Sequence, residues 1–148
     1  MIKWSQKNFS ELTQEELYAI LKHRMEIFIL EQKSFYLDLD NMDQQAIHFL
    51  GEEDGKLVAY ARVYIDSLHA RAEIRRVAIH KDFRKKQLGT LLLTKMLDFI
   101  GSLPITTTEL DAQHHLQQFY ARHGFLPEGE PYHDGGVLHI RMVKKHLY

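Results

Sequence analysis

The sequence predicts an α+β fold, in which one mixed β-sheet carries helices on its faces. Strand-like runs of β-branched and alternating apolar residues occur between segments whose apolar residues recur every three or four positions. Two tight-turn sequences, Asp54-Gly55 and Asp134-Gly135-Gly136, each separate a pair of strand-like runs. The predicted order is β-α-(α)-β-β-β-α-β-α-β-β, so helices connect strands of one sheet.

Local signals define the individual elements. Thr13 and Glu16 have the spacing of a capping box, and the helix that follows keeps its apolar periodicity to about residue 30. Gly124 fits the left-handed position after a later helix. The predicted strands cover residues 2–4, 47–52, 57–65, 72–79, 105–110 and 137–143, the last paired with a strand at Tyr132. The other predicted helices cover residues 87–100 and 113–123, and residues 31–45 are polar and irregular.

Length and composition favour one domain spanning residues 1–148, with 45% hydrophobic residues to form its core. The absence of cysteine excludes disulfides, thiolate nucleophiles and zinc–cysteine sites, and no histidine pair has a spacing typical of a metal site. No apolar run reaches the roughly 20 residues of a membrane span. We therefore expect a cytoplasmic protein with neither a metal nor a membrane partner. The net charge of −1 argues against a nucleic-acid partner.

Charge is distributed unevenly along the chain. Residues 26–54 contain eight acidic residues and one basic residue, whereas residues 71–86 contain seven basic and two acidic residues. The two segments are either solvated surfaces or a cation site next to a polyanion site.

The basic segment joins a predicted strand to a strongly amphipathic helix. The first turn of a helix has unpaired N–H groups and a positive dipole end, and both favour a phosphate. Gly89 would let the backbone approach such a ligand, and Arg84, Lys85 and Lys86 add positive charge. The residues therefore predict either an anion site or a basic cap before an ordinary helix.

Three stretches of the chain resemble the GNAT family of N-acetyltransferases. The family's phosphate turn, Arg/Gln-x-x-Gly-x-Gly/Ala, is matched at Arg84, Leu88 and Gly89, with Gln87 in place of the first glycine. Its later element, Asn-x-x-Ala-x-x-x-Tyr-x-x-x-Gly-Phe, is matched at Tyr120, Gly124 and Phe125, with Gln113 and Leu116 replacing Asn and Ala. Residues 24–32, followed by Tyr36, Asp38, Asp40 and Asp43, resemble the ElaA-like branch of the family.

The resemblance implies a mostly antiparallel sheet that is splayed between its fourth and fifth strands, with acetyl-CoA in the gap. Backbone groups of Val77, Ala78 and Ile79 would pair with the pantetheine arm of acetyl-CoA. The pyrophosphate would be held by backbone amides of Lys85, Lys86, Gln87, Leu88, Gly89 and Thr90, beside Arg84. Gln113 and Tyr120 would also contact the cofactor.

Acetyl transfer to an amine needs an acid for the leaving thiolate and a base for the amine. By resemblance Tyr120 is the acid, although the same position suits a residue that only packs in the core. Glu73 is the candidate base, because it resembles a catalytic glutamate of the family. Strand alternation predicts Glu73 on the same face as Val77 and Ile79, and an ion pair with Arg75 or a neighbouring strand is the alternative. His114, His115, Glu31 and Asp40 are other candidates for the base.

The expected acceptor is a primary amine of a small molecule or peptide, which attacks acetyl-CoA directly in a ternary complex. Candidate acceptor-binding residues are Arg24, Glu31, Asp40 and His114. Arg24 would bind a substrate carboxylate or form a salt bridge to Glu31 or Asp40. Two other functions stay open, acyl-homoserine-lactone-type synthesis and acyl-CoA sensing without catalysis. A homodimer is a possible form, although no sequence feature indicates one.

Overall fold

A computed structural model describes residues 1–146, so the last two residues of the predicted domain, 147 and 148, lie outside the described range. Seven strands form one sheet in the order β1-β2-β3-β4-β5-β7-β6. All neighbouring strands are antiparallel except β4 and β5, which are parallel. The strands are β1 Lys3–Asn8, β2 Ile47–Glu53, β3 Lys56–Asp66, β4 Arg71–Ile79, β5 Thr107–Gln113, β6 Leu126–Asp134 and β7 Val137–Lys145. The predicted mixed, mostly antiparallel sheet is confirmed.

The described residues form three α-helices beside the sheet: α1 Gln14–Arg24, α2 Leu88–Gly101 and α3 Gln117–Ala121. The predicted capping box is present, since Thr13 Oγ1 accepts from the Glu16 N–H and Glu16 Oε1 accepts from the Thr13 N–H. The predicted first helix is divided, because a π-helix over Met25–Glu31 replaces its last two turns. The predicted helix over residues 113–123 is shorter, with a 3₁₀ turn at His114–Leu116 before α3. Within residues 1–146 no helix is long and apolar enough to cross a membrane.

Helices cover both faces of the sheet. Ala59, Ala61 and Val63 of β3 join the core that contains α2, whereas Tyr60 packs with Ile20 of α1 on the opposite face. The period-2 alternation of β3 therefore places apolar groups against both helices. This central strand is buried on both sides over its first half, which anchors β4 beside it.

A bulge interrupts β4 at Arg76. The pairing of β3 with β4 shifts between Tyr60 and Arg62, and Arg76 has a left-handed φ of 59°. An extra residue in a strand reverses the face of every later side chain. Val77 and Ile79 consequently pack against the α2 core, on the face opposite Glu73. The prediction that Glu73 shares a face with these two residues is wrong, because it assumed an unbroken strand.

The sheet opens immediately after the paired part of β4. β4 pairs with β5 only over Arg71–Ile74 and residues 107–110, whereas β5 continues to Gln113 in its pairing with β7. Within the described part of the chain, the second half of β4 therefore has no strand paired on its β5 side. The predicted separation of the fourth and fifth strands is present. It begins after Ile74, next to the bulge at Arg76.

Candidate active site

Backbone groups of β4 line one side of the opening. The His80 N–H donates to the Val58 carbonyl of β3 at 2.8 Å. Since the N–H and C=O groups of successive strand residues point to opposite sides in the sheet plane, those of Val77 and Ile79 point away from β3. The backbone N–H and C=O groups of Ala78 point toward β3, and the Ala78 side chain is buried. The opening is therefore bordered by two residues that can pair with an extended amide chain.

The phosphate-binding turn predicted from the sequence follows β4 directly. A 3₁₀ segment over Lys81–Lys86 leads to Gln87, which has a left-handed φ of 59° and makes no side-chain hydrogen bond to the start of α2. Gln87 thus adopts a conformation that a glycine adopts without strain. The first N–H groups of α2 have no side-chain cap, and Lys85 and Lys86 are exposed beside them. This arrangement favours an anion at the helix start.

Gly89 brings two helices together at the start of α2. A Cβ atom at Gly89 would lie 3.4 Å from Cζ of Phe119, which precedes Tyr120 on α3. That distance is ordinary van der Waals contact, so α3 packs directly against the first turn of α2. The helix that carries Tyr120 is consequently fixed next to the phosphate turn.

Arg84 ties this turn to the end of the π-helix. Its Nε donates to the Ile79 carbonyl at 3.1 Å, and its Nη1 lies 2.5 Å from Oε2 of Glu31. Glu31, predicted to bind the acceptor, is therefore paired with a residue predicted to bind the cofactor. Glu31 and His80 also line a cavity of about 370 Å³ between the π-helix and the turn.

Tyr120 lies in the core beside the opening. Its ring makes edge contacts with Phe119 and Phe125, at centroid distances of 5.1 and 6.1 Å. Burial raises the pKa of the Tyr120 hydroxyl, so this group stays protonated through the neutral range. Its surroundings suit both packing and proton donation. Gln113 ends β5 opposite His139, and His114 is exposed.

Glu73 is held by two arginines. Its Oε1 accepts from Arg75 Nε, and its Oε2 lies 3.4 Å from Nη2 of Arg141 on β7. The ion pair predicted as the alternative for Glu73 is thus present. Both carboxylate oxygens of Glu73 therefore have a guanidinium partner in the free protein. Glu73 also lines a second cavity, of about 220 Å³, with Tyr64 and Arg75.

Arg24 does not occupy a substrate site. Its side chain is fully buried; Nε donates to Asp38 at 2.8 Å and Nη1 to Asp43 at 2.7 Å. The prediction that Arg24 binds substrate is therefore corrected, because no face of the guanidinium is open. The predicted salt bridge exists, but its partners are Asp38 and Asp43 instead of Glu31 or Asp40.

Asp40 belongs to the same group of charges, which we term the Arg–Asp cluster: Arg24, Arg62, Arg76, Asp38, Asp40 and Asp43. Partial burial raises the pKa of Asp40, but hydrogen bonds and charge from Arg62 outweigh it and lower that pKa to about 2. A carboxylate with this pKa takes no proton near neutrality, so Asp40 is unsuited to act as the base. Arg76 and Arg62 share its oxygens, so an acceptor amine would have to displace a guanidinium.

Sequence reasoning missed Arg62 and Arg76 as functional positions. Arg62 lies in a strand whose neighbours are apolar and buried, and an arginine in such a run indicates a buried ion pair. Arg76 gives no such signal, since nothing in residues 71–79 marks the bulge. Among residues 1–146 no group of three or more histidine, aspartate or glutamate side chains is placed to hold a metal ion.

The splayed sheet, the uncapped helix start and the buried tyrosine are arranged as in an acyltransferase domain of the GNAT type. Residues 9–146 match the acetyltransferase (GNAT) domain, and the chain belongs to this family. The chain resembles ElaA of Escherichia coli. The two are 36% identical over an alignment of 149 positions that covers 98% of this chain and 97% of ElaA.

Solved structures agree with this assignment. The crystal structure of E. coli ElaA has a TM-score of 0.92 against this chain, covering 98% of it and 100% of ElaA. An acyl-CoA N-acyltransferase from Pseudomonas aeruginosa is 34% identical, with a TM-score of 0.89 and coverage of 96% and 99%. The PaiA N-acetyltransferase of Thermoplasma acidophilum, solved in complex with coenzyme A, shares the fold at 16% identity and a TM-score of 0.72, covering 97% and 99%.

Proposed function

We propose that this protein transfers an acetyl group from acetyl-CoA to a primary amine of a small molecule or peptide, by direct attack in a ternary complex. The observation that carries the proposal is the opening beside β4. It is bordered by backbone groups of Val77 and Ile79 that face away from β3, of which the Ile79 carbonyl accepts from Arg84 Nε, and it ends at the uncapped start of α2. An elongated molecule with amides in its middle and phosphates at one end fits this order of binding groups.

Each part of acetyl-CoA has a proposed set of partners. The pantetheine amides pair with Val77 and Ile79 as an added strand would. The pyrophosphate accepts hydrogen bonds from the first N–H groups of α2, over residues 88–90, with charge from Lys85 and Lys86. Arg84 lies between these parts, where releasing the Ile79 carbonyl would free its guanidinium for the phosphates.

The chemistry follows from the groups beside the opening. The neutral amine attacks the thioester carbon, the C–S bond breaks, and the sulfur leaves as a thiolate. Tyr120 donates its proton to that thiolate; its position on α3 supports this role, and the hydroxyl is protonated at neutral pH, although burial raises its pKa and so makes it a weaker acid. Glu73 accepts the proton of the amine, and a positioned group of this kind contributes roughly 10²- to 10⁴-fold.

Titration calorimetry with acetyl-CoA tests the donor. Micromolar binding is expected, and an absence of binding would remove the proposal. A screen of polyamines, amino acids, aminoglycosides and peptides, read as released coenzyme A, then tests for an acceptor. Acetylation of any of these amines separates an enzyme from a non-catalytic sensor. Product mass spectrometry with several acyl donors separates N-acetylation from lactone synthesis.

Tyr120→Phe tests the acid. The substitution keeps the ring contacts with Phe119 and Phe125, so the fold and acetyl-CoA affinity should be unchanged. The turnover number should fall by about 10²-fold or more. Unchanged turnover with every accepted amine would show that Tyr120 only packs in the core.

A cytoplasmic location and a homodimer stay predictions.

A further inference from the structure

The cavity of about 220 Å³ lies against a row of polar side chains on one face of β3 and β4. Three cross-strand pairs form this row: Arg62 with Arg75, Tyr64 with Glu73, and Asp66 with Arg71. A liquid water takes about 30 Å³, so the volume corresponds to roughly seven waters. A molecule the size of an amino acid fits such a space.

The cavity has more hydrogen-bond donors than the protein itself uses. The Tyr64 hydroxyl is buried and has no hydrogen-bond partner among residues 1–146, which is rare for a buried polar group and costs free energy unless something pairs with it. Arg75 uses Nε on Glu73, and within residues 1–146 its two terminal nitrogens have no hydrogen-bond acceptor. Arg71 is already paired with Asp66 and Glu109, at 3.5 and 3.8 Å, so the unused donors of the cavity are those of Arg75 and Tyr64. These unused donors match an anionic group on a ligand.

The cavity is also placed next to the proposed reaction centre. Arg75 directly precedes the bulge at Arg76, and Val77 begins the opening along β4. Two residues of strand span about 7 Å. The Glu73 carboxylate forms part of the cavity wall, where it can accept a hydrogen bond from an ammonium or amine. A ligand with an anion at one end and an amine at the other therefore meets complementary groups.

We propose that this cavity is the acceptor site and that the acceptor is a primary amine bearing a carboxylate, such as an amino acid. Arg75 and Tyr64 bind the carboxylate, and Glu73 orients the amine toward the thioester. This proposal rests on the acetyl transfer proposed above. A plain polyamine or alkylamine lacks the group that the unused donors require.

Matched substrate pairs test the carboxylate. Lysine is compared with cadaverine, and phenylalanine with phenethylamine, by kcat/KM in wild type, Arg75→Gln and Arg122→Gln. Arg122 is exposed, directly follows α3 and serves as the control. In wild type and Arg122→Gln, kcat/KM should be about ten- to hundredfold higher for the carboxylated member of each pair. This factor corresponds to the free energy that a hydrogen bond to a charged group contributes. Arg75→Gln should lose that preference. Equal kcat/KM within both pairs, or an equal fall for both members in Arg75→Gln, would overturn the proposal.

Tyr64→Phe supplies a measurement that needs no turnover. Because the hydroxyl has no partner in the free protein, its removal should leave the melting temperature unchanged or raise it. The same variant should bind lysine several-fold more weakly, by calorimetry in the presence of coenzyme A. A lower melting temperature, or unchanged lysine affinity, would show that the hydroxyl is not reserved for a ligand.

The two proposals fail in different ways. If acetyl-CoA does not bind, acetyl transfer is excluded, and the cavity is judged by calorimetry of lysine against cadaverine without coenzyme A. Preferential binding of lysine that depends on Arg75 would still identify a carboxylate site. If acetyl-CoA binds and polyamines are acetylated better than their carboxylated counterparts, acetyl transfer stands and this acceptor class is wrong.

Discussion

Replacing Asp40 with asparagine should destabilise the protein in a way that depends on pH. Asp40 shares its carboxylate between Arg62 and Arg76 and accepts the Met42 N–H at 3.1 Å. Its pKa falls from an ordinary 3.8 to about 2 in the folded protein. At 1.36 kcal/mol for each unit, the ionised carboxylate contributes about 2 kcal/mol to the free energy of unfolding.

The sign of the pH dependence follows from a lowered pKa. The stabilisation by Asp40 is fully present above its pKa in the unfolded chain, near 4. It is lost as pH falls through its pKa in the folded protein, about 2. Asp40→Asn should therefore be about 2 kcal/mol less stable than wild type at pH 7. The difference should shrink steadily between pH 4 and pH 2.

Urea unfolding at a series of pH values measures this difference directly. Asp98→Asn is the matched control, because Asp98 is exposed on α2 and its substitution should change the free energy of unfolding by less than about 0.5 kcal/mol. A difference that stays constant from pH 7 to pH 2 would refute the ionic origin of the stabilisation. Equal stabilities at pH 7 would refute the pairing of Asp40 itself.

Three further substitutions test the site and its supports. Glu73→Gln should lower kcat by about ten- to hundredfold with little change in KM for acetyl-CoA, and steady-state kinetics showing unchanged kcat would exclude Glu73 as base. Gln87→Gly should raise the free energy of unfolding by about 0.5–1 kcal/mol, because it relieves a left-handed glutamine at φ 59°, and a lower value in urea unfolding would contradict this. Gly124→Ala should cost about 1–2 kcal/mol, because its φ is 91° and a Cβ atom would meet the Lys144 ammonium; an unchanged melting temperature would argue against both constraints.

Local signals predicted most of the fold. The capping box at Thr13, the Asp54-Gly55 hairpin and the left-handed Gly124 each depend on neighbours within a few residues, and each is present. The phosphate turn could be predicted equally well, because its basic residues and the start of the following helix are contiguous in the sequence. Gln87 stands where the family motif has a glycine, but its backbone has the left-handed conformation that a glycine adopts without strain. The motif could therefore be identified in spite of the substitution.

Features that depend on distant partners were not predictable. The side chain of Arg24 is hydrogen-bonded to residues 14 and 19 positions away, and residues 26–43 contain five acidic residues, so the sequence alone did not single out these two partners. The bulge at Arg76 is stabilised by contacts with Asp38, 38 positions earlier, and no glycine marks it. Strand periodicity consequently assigned Glu73 to the wrong face. The cavity beside Tyr64 is formed by cross-strand neighbours, which are defined only once the register is known.

The Arg–Asp cluster couples the order of a long loop to the shape of the active strand. Its three guanidinium and three carboxylate charges cancel, so the segment around Asp38 and Asp40 docks on β3 and β4 without a net buried charge. Arg76 holds its strained backbone conformation while Asp38 binds its side chain. Amides of residues 38–43 and 75–79 should therefore exchange with solvent as one cooperative unit. Any event that frees the loop would also remove the side-chain contacts that Arg76 makes with Asp38 at the bulge of β4.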